Sequence, residues 1–258
     1  MTTYLEKLID VLRLFSNSEI LRIERNYDQQ YKALKYLYER IRGCTSKFLM
    51  IVTLNALICY QLNCRGEEYW WEFAKYFSQN MSCDEGIISL FRKFLNRSKC
   101  NKRLFRQKLR RIYKSFPCVK YLCSNMNNLL RHFHMIPRYL SRCLGCSPKS
   151  KTIVFATKML NYALRIVTNK DLVAPLDISI PIDFRIKQLS QKLGIKKPQE
   201  FWDTLASKLK ISPLHLDSLL WISYRYALEG KRTGNKKLDE LVAIIEELIK
   251  LEARRSHN

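Results

Sequence analysis

The periodicity of the hydrophobic residues is the feature that most limits how this chain folds. Apolar side chains recur every three to four residues along almost its whole length, as on one face of an α-helix, and no segment shows the strict alternation of a half-buried strand. Glycine and proline, which interrupt helices, number only seven each in 258 residues. The sequence therefore predicts an all-α protein, with helices over 3–15, 18–42, 47–62, 67–78, 84–96, 102–114, 119–143, 150–167, 183–193, 198–209, 213–228 and 237–254.

Positive charge is concentrated in one third of the chain. The sequence has 46 Lys and Arg against 23 Asp and Glu, a formal net charge of +23. From Gly86 to Lys170 there are twenty Lys or Arg residues and no acidic residue, and nine of these cations lie between Arg97 and Lys114. A helical face without acidic residues to offset its cations favours a polyanionic partner, and nucleic acid comes first. The candidate phosphate contacts are Arg106, Arg110, Arg111 and Lys149.

Two other interpretations of the basic stretch stay open. Such a run is often only a solvated helix face, and a basic amphipathic helix also binds anionic membrane surfaces. The longest apolar stretch, Phe48 to Leu62, is too short to span a bilayer and has Thr53 and Asn55 in its middle. Because Glu6 and Asp10 interrupt the first apolar helix, no signal peptide is expected, and the protein is predicted to be intracellular.

The nine cysteines are expected to be mostly free thiols that pack as small hydrophobic side chains, because intracellular proteins outside hyperthermophiles rarely form disulfides. Cys143 and Cys146 form a CxxC pair. The other candidate pair, Cys118 and Cys123, is spaced by four residues in a helical region, which disfavours a zinc or iron–sulfur site. The four histidines show no ligand spacing, so no metal is expected.

The segment from Leu144 to Arg185 carries the residues that point to chemistry. It is predicted to form a hairpin, a helix, a loop rich in turn formers over 168–181, and a second helix. Ser150 is placed to cap the first helix, which puts Lys151 in its first turn, at the positive end of the helix dipole. That field, with nearby Lys149 and Lys158, would lower the pKa of the Lys151 amine and make it a nucleophile.

An amine that attacks C1′ of a deoxyribose needs a carboxylate to stabilise the developing oxocarbenium charge and to help move protons. Asp183, at the start of the second helix, is the predicted partner, and Asp177 is the nearest acidic alternative. Lys149 stays open as an alternative nucleophile.

Six short motifs carry a resemblance to a known family. They are SKTIVFATKM at 150–159, ISIPID at 178–183, DQQYKAL at 28–34, NALICYQL at 55–62, GEEYW at 66–70 and LDSLLWISYR at 216–225. With these motifs the chain resembles the helix-hairpin-helix superfamily of DNA glycosylases, most closely its archaeal 8-oxoguanine DNA glycosylase branch, over most of its length. The hairpin departs from the superfamily pattern, because only Gly145 is present of two expected glycines and Lys149 occupies one of those positions.

The resemblance implies a two-lobed helical fold with the active site in the cleft between the lobes. Residues 1–258 would form one glycosylase unit, with the helix-hairpin-helix catalytic element at 129–185. Lys151 would be the Schiff-base lysine and Asp183 the catalytic aspartate, and Phe155 and Trp221 would stack on the two faces of an extruded base. The remaining base-binding positions would be Asp217, Gln30, Trp70, Lys158 and, through its backbone carbonyl, Pro181.

Most of these positions have a second interpretation. Phe155 and Trp221 also fit an apolar core, and Gln30 and Lys158 also fit an ordinary surface. Trp71 competes with Trp70, because two adjacent helical residues cannot face the same pocket.

Together, these inferences predict a bifunctional DNA glycosylase and AP lyase of base excision repair. It would flip out 8-oxoguanine, form a Schiff base through Lys151 and nick the strand by β-elimination. It is expected to act as a monomer on damaged DNA, double- or single-stranded, in the archaeal cytoplasm or nucleoid, without a cofactor and without a membrane. The alternatives are a non-catalytic helical DNA- or RNA-binding protein, which the basic stretch alone would explain, and a peripheral membrane protein.

Overall fold

A computed structural model of the chain describes residues 3–41, 43–82 and 86–255, with side chains up to Leu251. Within these ranges the regular elements are all helical, which confirms the predicted all-α class, and none of the helices is long and apolar enough to cross a membrane. They are α1 (Tyr4–Leu12), α2 (Asn17–Tyr27), α3 (Gln29–Arg40), α4 (Thr45–Leu57), α5 (Gly66–Asn80), α6 (Ile87–Arg97), α7 (Phe105–Ser124), α8 (Met126–Arg131), a 3-10 turn (Phe133–Met135), α9 (Ile136–Leu144), α10 (Lys151–Thr168), α11 (Phe184–Lys192), α12 (Pro198–Leu209), α13 (Pro213–Leu228) and α14 (Lys236–Arg255).

The chain divides into two compact units. The first, called the internal unit, is the continuous segment Gln29–Ala174 and contains α3 to α10. The second, called the terminal unit, combines Met1–Asp28 with Pro175–Asn258 and contains α1, α2 and α11 to α14.

Two helices that are buried on all sides over about ten residues form the centre of the internal unit. Every residue of α4 from Phe48 to Leu57 is buried, and so are the residues of α10 from Ala156 to Arg165. These two helices pack against each other, and other helices of the unit cover their remaining sides. α10, the longer of these two helices, is therefore held in place by its packing in the unit.

Disulfides brace the internal unit, and the expectation of mostly free thiols is wrong. Cys64 is bonded to Cys100 and Cys118 to Cys143, and Cys44 is also disulfide-bonded. The free thiols within the described ranges are Cys59, Cys123 and Cys146. Spacing along the chain could not reveal these pairs, because the fold brings together cysteines that are 36 and 25 residues apart.

The Cys118–Cys143 bond also excludes the four-cysteine metal site that the CxxC pair had suggested. Cys143 is committed to a helix-to-helix link between α7 and α9. Among the residues that the structure describes, no three His, Cys, Asp or Glu side chains are grouped as metal ligands.

The terminal unit is built around α13, whose residues from Pro213 to Arg225 are all buried. Apolar side chains of the other terminal helices cover it, among them Leu8, Trp202 and Leu241. A buried polar pair joins α13 to α2, where His215 Nδ1 lies 2.9 Å from Glu24 Oε1. The packing of α11 and α13 against each other fixes the segment that follows the loop at 168–181.

Two predicted helices are each divided in the structure. The helix predicted over 18–42 breaks at Asp28, whose backbone is extended (φ −77°, ψ 117°). The helix predicted over 119–143 is the end of α7 followed by α8, the 3-10 turn and α9, because extended Asn125 starts a new helix and caps it by accepting a bond from Asn128 N at 3.0 Å. The predicted helix end at Arg42 and the predicted helix start at Asp84 lie outside the described residues.

The helix α7 runs through Pro117, which lies in the gap between the predicted helices over 102–114 and 119–143. Proline cannot donate to the carbonyl four residues earlier, that of Tyr113. Both residues are exposed, so water can satisfy the carbonyl and the helix continues.

Candidate active site

A tight hairpin between α9 and α10 sets the start of α10. Gly145 ends α9 in the left-handed region (φ +68°), and its N–H and that of Cys146 both donate to the Ser141 carbonyl, at 2.8 and 3.1 Å. Lys149, at the position where the superfamily has a second glycine, has no positive φ, so a side chain is tolerated there. Its side chain is exposed.

Lys151 is the first residue of α10, and its side chain is exposed. Ser150 precedes it with the extended backbone of an N-cap (φ −62°, ψ 138°), so the predicted cap position is confirmed. The predicted capping bond is wrong, because the Ser150 hydroxyl makes no such bond and lies 3.7 Å from Cys146 Sγ. The first turn of α10 therefore has no side-chain cap.

A second lysine shares the electrostatic surroundings of Lys151. Burial raises the pKa of the Cys59 thiol to about 12, and the charges of Lys151 and Lys108 oppose that rise. Lys108 of α7 is fully buried, donates to Asn101 Oδ1 and lies 5.1 Å from the centre of the Tyr60 ring. Desolvation lowers the pKa of Lys108 to about 8. The charges of both lysines lower the pKa of the Cys59 thiol, but only Lys151 is exposed and therefore accessible to a substrate.

Phe155 lies one helical turn after Lys151, and its half-buried ring meets Trp70 edge to face, with centroids 6.2 Å apart. Trp70 is fully buried, and its indole N–H donates a hydrogen bond to the Cys59 sulfur, which opposes the rise in the thiol pKa. The neighbouring Trp71 instead donates to Gln29 Oε1 at 3.1 Å. Trp70 is therefore the tryptophan that lies beside Phe155.

Gln30 and Lys158 are buried in the internal unit, with exposed fractions of 3% and 2%. The interpretation of both as ordinary surface residues is therefore wrong. Lys158 follows Phe155 on α10, and its Nζ lies 5.7 Å from the centre of the Tyr162 ring.

The basic face of α7 separates into exposed and tethered cations. Arg106 and Arg110 are exposed, whereas half-buried Arg111 donates from Nη2 to Thr152 Oγ1 at 2.8 Å, directly beside Lys151. Lys114 Nζ donates to the Leu144 carbonyl at 3.0 Å. These hydrogen bonds go to neutral oxygens, so they leave the positive charge uncompensated. A cavity of about 310 Å³ lies beside the cations and is lined by Tyr60, Gln107, Arg110, Arg111, Lys114, Leu144 and Cys146.

In the terminal unit, Asp183 is the N-cap of α11, and both of its carboxylate oxygens are engaged. Oδ1 accepts the Ile186 N–H at 2.8 Å, and Oδ2 accepts the indole N–H of Trp221 at 3.1 Å. The sequence predicted a helix start at this position, and the structure adds the bond from α13. Asp177, the acidic alternative, is exposed in the preceding loop.

Trp221 is 8% exposed, and the Arg185 guanidinium lies 4.1 Å from the centre of its ring. Asp217, one turn earlier on α13, is 3% exposed. The structure therefore brings Asp183 and Trp221 into direct contact. It also places Arg185, which the sequence analysis did not single out, on the indole; no sequence signal marks it except its position two residues after Asp183.

The segment before Asp183 is held by α12. Asp203 Oδ1 accepts the Ile180 N–H at 2.9 Å, and Gln199 Nε2 donates to the Ile180 carbonyl at 3.0 Å. The Pro181 carbonyl, a predicted base contact, accepts the Asp183 N–H at 2.9 Å and has a second lone pair free for another donor.

Comparison with known proteins places these features in a family context. The model of the family described as AGOG, N-glycosylase/DNA lyase, matches residues 9–255. An N-glycosylase/DNA lyase of Methanopyrus kandleri is 37% identical over 238 residues, which are 92% of this chain and 97% of the relative. One of Thermococcus kodakarensis is 34% identical over 240 residues, which are 92% of this chain and 88% of the relative.

A solved structure is also similar. It is the crystal structure of an 8-oxoguanine DNA glycosylase from Pyrobaculum aerophilum in complex with 8-oxoguanosine. The two chains are 32% identical with a TM-score of 0.79, and the match covers 94% of this chain and 96% of the other.

Proposed function

We propose, from the premise that this chain belongs to the AGOG family of N-glycosylase/DNA lyases, that it excises 8-oxoguanine from DNA and cleaves the strand at the resulting site. The observation that carries the proposal is the exposed amine of Lys151 at the first position of α10, one helical turn before Phe155, whose ring packs on the buried Trp70. The solved relative was crystallised with 8-oxoguanosine, which supports the choice of lesion.

Lys151 is assigned the role of nucleophile. Its amine bonds to C1′ while the bond from C1′ to the base breaks and the base leaves with a proton, which gives an imine once the sugar ring opens. Loss of a proton from C2′ then expels the 3′ phosphate, so the strand is nicked by β-elimination. Lys108, although its pKa is lowered, is fully buried and is excluded from this role.

Asp183 is assigned the stabilisation of positive charge at C1′ as the base leaves. Its two hydrogen bonds hold the carboxylate in one orientation, and a fixed charge needs little reorganisation during the reaction. Its bond to Ile186 ties that orientation to α11.

The flipped base is assigned to aromatic and polar side chains of the internal and terminal units. Phe155 and Trp221 would stack on the base. The polar groups that would read its edge are those of Trp70, Gln30, Lys158 and Asp217 and the Pro181 carbonyl. Buried polar groups of this kind give strong discrimination, because a wrong base would leave them unpaired.

DNA is held mainly through its phosphates in this proposal. Arg106, Arg110 and Lys149 are exposed, and an acid-free stretch of chain around them supports binding to a polyanion. The enzyme acts as a monomer, on double- or single-stranded damaged DNA, in the cytoplasm or nucleoid.

A borohydride trap on matched duplexes tests the proposal. Borohydride reduces an imine to a stable amine, so a covalent protein–DNA product should form with a duplex that contains 8-oxoguanine and not with the same duplex containing guanine. Tight binding to both duplexes without a covalent product would instead favour a non-catalytic DNA-binding protein. Binding to anionic vesicles with indifference to the lesion would favour a membrane surface.

A further inference from the structure

The carboxylate of Asp183 is held by two bonds of different origin. The bond from Ile186 N to Oδ1, at 2.8 Å, belongs to the cap of its own helix. The bond from Trp221 Nε1 to Oδ2, at 3.1 Å, comes from α13. Because the terminal torsion of an aspartate is broad, one bond alone leaves the carboxylate plane free to turn. The bond from Trp221 is the one that fixes the second oxygen.

Trp221 is itself held in place. It is 8% exposed, and the Arg185 guanidinium lies 4.1 Å from its ring centre, within the range of a cation–π contact. A buried indole N–H needs an acceptor, and Asp183 supplies it. The N–H edge of the indole therefore binds the Asp183 carboxylate, and this bond does not depend on what stacks on the faces of the ring.

We propose that Trp221 is a positioning residue for Asp183, acting through its indole N–H, in addition to the stacking role assigned to its ring. This inference rests on the proposed function, since it assumes that Asp183 stabilises charge at C1′. Stacking requires only an aromatic face. Orientation of the carboxylate requires the N–H, so the two roles are separated by removing the N–H and keeping a ring.

The test is the variant Trp221→Phe, measured under single-turnover conditions with enzyme in excess over an 8-oxoguanine duplex. A hydrogen bond to a charged acceptor is involved, so the excision rate should fall about 10- to 100-fold. Affinity for the lesion duplex should change by less than about threefold, because phenylalanine keeps an aromatic ring for stacking. A rate and affinity that fall by the same factor, or a rate equal to the wild type, would overturn the inference.

A double-variant cycle with Asp183→Asn separates this inference from the function it rests on. In the Asp183→Asn background, Trp221→Phe should cause little further loss, because the charged acceptor is already absent. A second loss of the full factor would show that the indole N–H acts elsewhere and would overturn the inference alone. If Asp183→Asn by itself left the rate unchanged, the assigned role of Asp183 would be wrong.

Trp202 offers a matched control in the same unit. It is fully buried and donates its Nε1–H to Ser190 Oγ of α11 at 2.8 Å. Trp202→Phe therefore deletes an equivalent bond to the same helix without touching Asp183. It should lower the thermal midpoint and keep the excision rate; a slowing equal to that of Trp221→Phe would mean that the loss reflects a loosened α11.

A spectroscopic measurement needs no substitution at position 221. In a protein with ¹⁵N-labelled indoles, Asp183→Asn should shift the Trp221 Nε1–H resonance more than those of Trp70, Trp71 and Trp202. An unmoved Trp221 resonance would overturn the hydrogen bond on which the inference depends.

Discussion

The starts of α10 and α11 differ in how tightly their key side chain is held. At the start of α10, Lys151 is exposed and its ammonium makes no hydrogen bond or ion pair to the residues that the structure describes. At the start of α11, Asp183 is half-buried and gives each carboxylate oxygen a hydrogen-bond donor. One helix start presents an exposed amine that the described residues do not hold, and the other presents a carboxylate held by two hydrogen bonds.

This contrast matches what the two roles require. A nucleophile must travel to form a bond to C1′, so a free amine on a rigid helix suits it. A group that stabilises charge works best when its orientation is set in advance. The difference in restraint therefore distinguishes the proposed roles more clearly than residue type does.

The largest expected effect comes from Lys151→Gln. An amide cannot form an imine, so strand nicking and borohydride trapping should both disappear, while lesion binding remains because the side chains assigned to the base and to the phosphates are unchanged. Gel analysis after borohydride treatment measures the first effect, and duplex titration measures the second.

Lys149→Gln is the control for that variant. It should still trap, with slightly weaker DNA binding, because Lys149 is an exposed cation of the hairpin. If Lys151→Gln trapped and Lys149→Gln did not, Lys149 would be the nucleophile. If both variants trapped normally, the nucleophile would lie elsewhere in the chain.

The next effect in size concerns the fixed charge. Asp183→Asn should lower the single-turnover rate by roughly two to four orders of magnitude, the scale of deleting an oriented charge from an active site. Asparagine still caps the helix through its one amide oxygen but leaves the buried Trp221 N–H without its acceptor, so this variant should lose about 1–3 kcal/mol of stability. Asp183→Ala should lose the cap as well, which costs about 0.5–2 kcal/mol of stability. Equal stability of the two variants in urea unfolding would contradict the capping role.

A smaller effect is expected at Phe155, one turn from the Lys151 amine. Phe155→Ala should cost about 1–3 kcal/mol of base stacking, so discrimination between 8-oxoguanine and guanine duplexes should fall while affinity for undamaged DNA stays. Competition binding with the two duplexes measures this. A variant that fails to fold would show that Phe155 is a core residue. A variant with full discrimination would show that its ring does not stack on the base.

The smallest effect separates two neighbouring arginines. Arg110→Gln should weaken binding to all duplexes alike and reduce the log–log salt slope by about 0.9, the contribution of one phosphate. Arg111→Gln should also slow trapping at saturating enzyme, because the Arg111–Thr152 bond supports the helix start that carries Lys151. Affinity that did not depend on salt would contradict the phosphate role of both residues.

Local patterns predicted much of this fold correctly, including the helix starts that carry Lys151 and Asp183. Helical periodicity predicted the all-α class. A hairpin was predicted before α10, and Gly145 in it does adopt a positive φ. The starts of α10 and α11 were predicted to within a residue. The predictions failed where distant residues decide the outcome, as at the Cys64–Cys100 bond and at Ser150, whose hydroxyl turns toward Cys146.

The sequence by itself determined the helical class, the concentration of positive charge, and the positions of Lys151 and Asp183 at helix starts, because each depends on residues close together in the chain. Only the tertiary structure decided that Lys108 is buried, that Trp70 rather than Trp71 lies beside Phe155, and that Trp221 donates to Asp183. These features depend on residues that are far apart in the chain, such as Trp70 and Phe155. Packing of whole helices sets such distances, and no local pattern of residues encodes them.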